Sequence, residues 1–181
     1  NHDAAAVGKM EQDTFNNEAR TSLIWTKTTI TRDTRKFLNN LNEKEILGNT
    51  TLVHGSPRHP VWEYIMEPYT ARLALETLTT RFGITGHTHQ PIVIFLDHKG
   101  ELHWEIPVVD QDYQVKGSVI FNPGSVGQPR DGDVRASFGL LDTEKNIYRL
   151  ARVSYPVEEA ARRIVEVGLP NFLAERLFLG R

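Results

Sequence analysis

The side chains best suited to chemistry in this 181-residue chain are its histidines, seven in number and unevenly placed. His87 and His89 flank Thr88 in Gly86-His87-Thr88-His89, directly after the strand-like pair Ile84-Thr85. On an extended backbone, residues two apart point the same way and stand about 7 Å apart along the chain. One ion would not naturally take both, whereas two ions roughly 4 Å apart could take one each. Gly86 lets the backbone approach closely, and Pro91 ends the loop. His54 closes a second strand, Thr50 to His54, with the turn formers Gly55, Ser56 and Pro57 behind it. Imidazole suits first-row transition metals, and sites in α/β proteins gather beyond the C-terminal ends of strands. Asn1-His2-Asp3 adds an amide oxygen, an imidazole and a carboxylate within three residues. The absence of cysteine excludes disulfides, thiolate nucleophiles and cysteine-held zinc together.

Other polar groups are candidates for substrate contact. Gly124, Ser125 and Gly127 can offer backbone N–H groups to phosphate oxygens, with Arg130 as a bidentate clamp. Arg58 and His59 follow the Ser56-Pro57 turn and can reach toward a substrate. Trp62 and Tyr64 read as packing against a sheet, and His98 and His103 read as structural.

The elements that must position these groups are legible from periodicity and punctuation. Residues 13–41 read as helical, with Phe15, Leu23, Ile24, Trp25, Phe37, Leu38 and Leu41 on the apolar side. Asp33 can start the second half of that region, and Gly48 closes it. A helix is predicted over 70–81, carrying Ala74, Leu75, Leu78 and Phe82 and stopped by Gly83. Pro91 to Leu96 and Glu101 to Ile106 form a hairpin about Asp97-His98-Lys99-Gly100. Ser118 to Phe121 is a strand ending in Asn122-Pro123-Gly124, and alternation over 134–140 marks another, paired through a turn at 142–146. Pro156 opens a helix bearing Val157, Ala160, Ala161, Ile164 and Val165, and 169–180 form a last short helical cover. No linker or repeat separates these pieces, so residues 1–181 are expected to form one α/β domain.

A formal charge of −2 gives no basic patch for nucleic acid, and the longest apolar run, Ile92 to Leu96, is too short for a membrane span. A cytoplasmic location is the expectation. The start shows neither an initiator methionine nor a targeting pattern, so a longer parent protein is expected.

Taken in order, Asn1-His2-Asp3, His54-Gly55-Ser56-Pro57, Gly86-His87-Thr88-His89 and Asn122-Pro123-Gly124-Ser125 resemble the motifs of the calcineurin-like metallophosphoesterase family. The run Asn122 to Arg130, and the ending Gly168-Leu169-Pro170 through Gly180, are similar to the bacterial branch related to predicted phosphodiesterases and diadenosine tetraphosphatases. The resemblance implies a four-layer α/β/β/α sandwich of two mixed sheets. It implies two divalent metal ions, manganese foremost with iron, zinc or nickel as alternatives, and hydrolysis of a phosphodiester or phosphomonoester by a metal-bridging hydroxide. It assigns Asn1, His54 and His87 to the second metal, His89 to the first, and transition-state stabilisation to His2, oriented by Asp3. Substrate contacts would fall to Arg130, Ser125 and Arg58, and the partner would be a small phosphoester, a nucleotide-derived one among the candidates, with no membrane or nucleic acid involved. The family's Asp-x-His and Gly-Asp-x-x-Asp patterns do not occur: Gly132-Asp133 is followed three residues later by Ala136. The alternatives are a non-catalytic interaction scaffold on the same fold and an inactive segment of the enzyme.

Overall fold

A computed structural model describes residues 1–181, whose contacts group into two units: residues 1–42 with 156–179, and residues 43–155 with 180–181. In the first unit a short helix α1 (His2–Ala6) precedes α2 (Asn17–Thr29) and α3 (Arg32–Asn39). Asn16 caps α2, its side chain accepting from the Ala19 N–H, and Thr31 caps α3 by accepting from Thr34. The cap is therefore Thr31, two residues before the expected Asp33. Ala5, Ala6, Phe15 and Leu23 form the small core here, and Arg35 ties the pieces by donating to the carbonyls of Ala6 and Lys27. Pro156 leads into α5 (Val157–Glu166), and α6 (Asn171–Glu175) continues into a 3₁₀ turn, Arg176–Leu179.

The second unit holds both sheets. The larger has the strand order β1 (Lys44–Leu47), β2 (Thr50–Val53), β3 (Phe82–Ile84), β7 (Val119–Pro123), β4 (Pro91–Leu96), β5 (Leu102–Glu105). Its β2–β3 and β3–β7 pairs are parallel and the others antiparallel. The smaller sheet is β6 (Asp112–Gln114), β9 (Ile147–Val153), β8 (Ala136–Asp142), antiparallel, with one parallel bridge from Val109 to Leu150. Alternation along the central strands builds the layers. Ile92, Ile94 and Ile120 pack with Ala71, Ala74 and Leu75 of helix α4 (Pro68–Thr77). Val93, Val119 and Phe121 face the other way and meet Tyr148 and Leu150 of the smaller sheet. The Phe121 and Tyr148 rings stack at 4.1 Å.

Two expectations fail for physical reasons. Helix α4 ends at Thr77, and Leu78 is extended, because Phe82 and Gly83 pair in parallel with Val119 and Ile120. Phe82 is buried between the sheets, outside the helical stripe. Residues 44–47, expected to prolong a helical region, instead form the edge strand β1, turned into β2 at Gly48, whose φ is +57°. Every β1 residue is exposed, so no alternation of burial marks it.

Candidate metal centre

The loop carrying His87 and His89 leaves β3 at the end of the parallel ladder. It is not extended: both histidines sit in the left-handed region, with φ of 62° and 60°. Such conformations in residues with a Cβ cost on the order of 1–3 kcal/mol and persist only where surroundings hold them. The two histidines therefore do not project from one strand face as the spacing suggested.

Asn122, 2% exposed at the end of β7, holds that loop. Its Nδ2 donates to the Gly86 carbonyl at 2.6 Å and to Thr88 Oγ1 at 2.9 Å, and its Oδ1 accepts from the Gly124 N–H at 3.0 Å. A Cβ on Gly124, where φ is +81°, would stand 2.9 Å from both Pro91 Cγ and Ser137 Oγ, so the turn requires glycine. On the β2 side, the Gly86 N–H donates to the His54 carbonyl at 2.9 Å. The main chains do meet there, although a Cβ on Gly86 would find only ordinary contact at 3.5 Å.

This framework brings His54 and His87 together. His54 Nε2 lies 3.0 Å from His87 Nδ1, and the ring centroids are 4.7 Å apart. His87 is buried, its Nε2 makes no hydrogen bond of ordinary geometry, and burial pushes its pKa down to about 4, opposed by the Trp62 main chain. The ring is therefore neutral at physiological pH, the form that binds metals. Tyr64 stacks on it at 3.7 Å and Trp62 tilts against it at 5.7 Å. These two aromatics pack on the histidine and not simply on the sheet. Their distance from His54 in sequence gave no sign of it.

His89 is oriented separately. Its Nδ1 lies 2.7 Å from the Gln128 carbonyl, which can only accept, so Nδ1 carries the proton and Nε2 the lone pair. The Arg130 N–H donates to the His89 carbonyl at 3.3 Å, and the Arg130 guanidinium donates to Gln128 Oε1. Ser125 Oγ accepts from the Gln128 N–H at 3.0 Å, stabilising the turn that presents that carbonyl. The Gly124 N–H, one of those expected to face phosphate, serves Asn122. Arg58 is paired with Glu63, which also accepts from Ser56 Oγ. Gly55 underlies this loop, since a Cβ there would stand 2.6 Å from the His59 carbonyl.

In the first unit, Asn1 precedes α1, His2 lies against the Phe15 ring at 4.8 Å, and the Asp3 carbonyl accepts from the Val7 N–H. On the β4–β5 hairpin, Asp97, Glu101 and His103 cluster with ligand atoms within 4.8 Å. Asp97 Oδ1 accepts from the Lys99 and Glu101 N–H groups, Oδ2 meets His103 at 3.2 Å, and His103 stacks on Phe95. That arrangement closes the hairpin, the structural role read for His103.

The donor set of the second unit fits a metal. His54 Nε2 and His87 Nδ1 are at hydrogen-bond distance, 3.0 Å, and two imidazole nitrogens bound to one ion at about 2.1 Å stand about 3.0 Å apart at an octahedral angle and about 3.4 Å at a tetrahedral one, so the pair can close on a cation with little movement. The calcineurin-like phosphoesterase superfamily domain matches residues 2–146, and the chain belongs to that family of metal-dependent phosphoester hydrolases. It is 35% identical to the uncharacterized protein MJ0912 of Methanocaldococcus jannaschii, over all of this chain and 74% of that protein. A metallophosphoesterase from Sphaerobacter thermophilus superposes with a TM-score of 0.88 at 35% identity, over all of this chain and 75% of that one. The hypothetical protein PH1004 of Pyrococcus horikoshii OT3 shares the fold, with a TM-score of 0.77 at 17% identity, over 99% of this chain and 71% of that one. The two-sheet α/β architecture expected from the motifs is the one found. No helix is long and apolar enough to cross a membrane.

Proposed function

We propose that the chain carries the histidine side of a dinuclear centre that hydrolyses a small phosphoester, with His54 and His87 holding one divalent cation and His89 the other. The 3.0 Å approach of His54 Nε2 to His87 Nδ1 is the observation that supports this most directly. Manganese is the first candidate, with iron, zinc or nickel as alternatives for nitrogen and oxygen donors. Bound there, divalent cations offset the charge on phosphoryl oxygens and make water a stronger acid.

The protein's own residues do the rest. Burial keeps His87 neutral, the Gln128 carbonyl holds His89 in one tautomer, and Asn122 fixes the loop bearing both. Arg130 gives one edge of its fork to Gln128, which leaves further N–H donors for a phosphate oxygen. Ser125 keeps a hydroxyl proton to donate while accepting from Gln128, and Arg58 presents a charge steadied by Glu63. For Asn1 as an oxygen ligand, His2 as stabiliser of the developing charge and Asp3 as its orienting group, the motif alone supports the roles.

Calorimetric titration with Mn²⁺ and hydrolysis of bis(4-nitrophenyl) phosphate test the proposal. His54→Ala, His87→Ala and His89→Ala are each expected to lose metal affinity and turnover, and His2→Ala to keep the metal while slowing hydrolysis. Unchanged Mn²⁺ binding in all three histidine-ligand variants would refute it.

A further inference from the structure

A cleft of about 340 Å³ opens beside the histidine loop, lined by Thr88, Gln90 and Pro91 together with Met66, Trp104 and Ile106. Ile65 and Ile92, both in the core that packs with α4, also line it. Its walls continue the two segments that position the candidate metal ligands. Residues 62–66 carry the aromatics packed on His87, and residues 86–91 carry His87 and His89 themselves. The volume falls at the lower end of the range for small-molecule sites.

Three polar side chains of the lining belong to the surrounding framework. Thr88 Oγ1 accepts from Asn122 Nδ2 and from the Gln90 N–H, Gln90 Nε2 donates to the Arg130 carbonyl, and Asp131 is ion-paired to the buried Arg152 guanidinium. The apolar side chains, by contrast, are open to solvent: Ile106 is 77% exposed, Met66 63% and Trp104 38%. Three large apolar groups converging on one concavity are not the scattered exposure usual on a protein surface. Nor are they needed for the core, since Trp104 lies on β5, the edge strand of its sheet.

We infer that this cleft is a substrate subsite that takes a flat, uncharged aromatic substituent of the phosphoester, an aryl ring or a nucleobase, against the face of Trp104. The assignment rests on the hydrolase reading above and extends it to the class of ester recognised. An aromatic ring would gain stacking and apolar burial against Trp104, Met66 and Ile106. Trp104 is then a specificity-determining residue.

The test is equilibrium binding to the Mn²⁺-loaded protein, read by calorimetry, of phenylphosphonate, methylphosphonate and adenosine 5′-monophosphate. Phenylphosphonate is expected to bind about tenfold more tightly than methylphosphonate. That preference should vanish in Trp104→Ala, return in Trp104→Phe, and weaken in Ile106→Ser, which covers the case in which the tryptophan variant fails to fold. If the nucleotide is preferred over phenylphosphonate and loses that preference in Trp104→Ala, the substituent is a nucleobase; the opposite order identifies a simple aryl group. Equal binding of the phenyl and methyl compounds, or a preference that survives both Trp104→Ala and Ile106→Ser, overturns the subsite and leaves the metal reading standing. If none of the three binds with Mn²⁺ present, and His87→Ala leaves Mn²⁺ binding unaltered, the hydrolase reading fails and the subsite falls with it.

Discussion

Replacing Asn122 by alanine is the sharpest probe of how the histidine loop is held. The side chain makes three hydrogen bonds, two donated by Nδ2 and one accepted by Oδ1, and it is almost completely buried. At about 1 kcal/mol net for each bond, the direct loss is about 3 kcal/mol. Stranding the Gly86 carbonyl and the Gly124 N–H adds to that, while relaxation of His87 and His89 from their left-handed conformations gives part of it back. The net expectation remains about 3 kcal/mol, a large share of a domain's stability. Relaxation of the loop also moves the imidazoles, and loss of such a supporting contact typically weakens metal affinity by about 10- to 100-fold. Urea unfolding gives the first quantity and Mn²⁺ titration the second. Asn122→Asp separates the causes: it keeps the acceptor for Gly124 but sets a carboxylate against the Gly86 carbonyl, so it should be at least as damaging as alanine. A loss below about 1 kcal/mol with metal affinity unchanged would show that the loop holds its shape without Asn122 and would refute the reasoning.

Two further outcomes follow from packing and charge. Gly139→Ala places a methyl 2.6 Å from Tyr148 Cε2 and 2.8 Å from its hydroxyl oxygen, in the core between the sheets, and should destabilise by about 1–3 kcal/mol, seen as a lowered thermal midpoint. The hydrogen bond from the Arg135 guanidinium, with the charge of Arg152, draws the Asp133 carboxyl down to about 2. Because the folded value lies below the ordinary one of about 3.9, its contribution is present above about pH 4 and is lost as pH falls toward 2. Asp133→Asn should flatten the acid limb of a stability profile over that window by about 1 kcal/mol, allowing for solvent screening of this partly exposed group.

The parts legible in the sequence are those carried by punctuation and by strong alternation. The β4–β5 hairpin, the β8–β9 pair and α5 all stand where Gly100, the turn at 142–146 and Pro156 placed them. The helix over 68–77 was visible but its end was not, because Phe82 extends the apolar helical stripe while its burial comes from a parallel ladder formed with residues almost forty positions away. Strand β1 was hidden because an edge strand with all its side chains in solvent has no face to alternate with. For the candidate centre, strand-end histidines and the order of the motifs single out His54, His87 and His89 as candidates. The aromatic packing on His87 by Trp62 and Tyr64, and the binding of the loop by Asn122, depend on contacts that cross between loops. No local spacing encodes them.

The Gln128 carbonyl that orients His89 is a main-chain atom. Alanine scanning would pass over it, since every amino acid supplies the same oxygen, and natural variation at this position could drift without disturbing the imidazole. Only a change in the peptide group itself would reveal it. Semisynthesis that replaces the Gln128 carbonyl oxygen by sulfur, a weaker acceptor, would alter the donor strength of one imidazole while leaving every side chain, the ring of Pro129 included, in place.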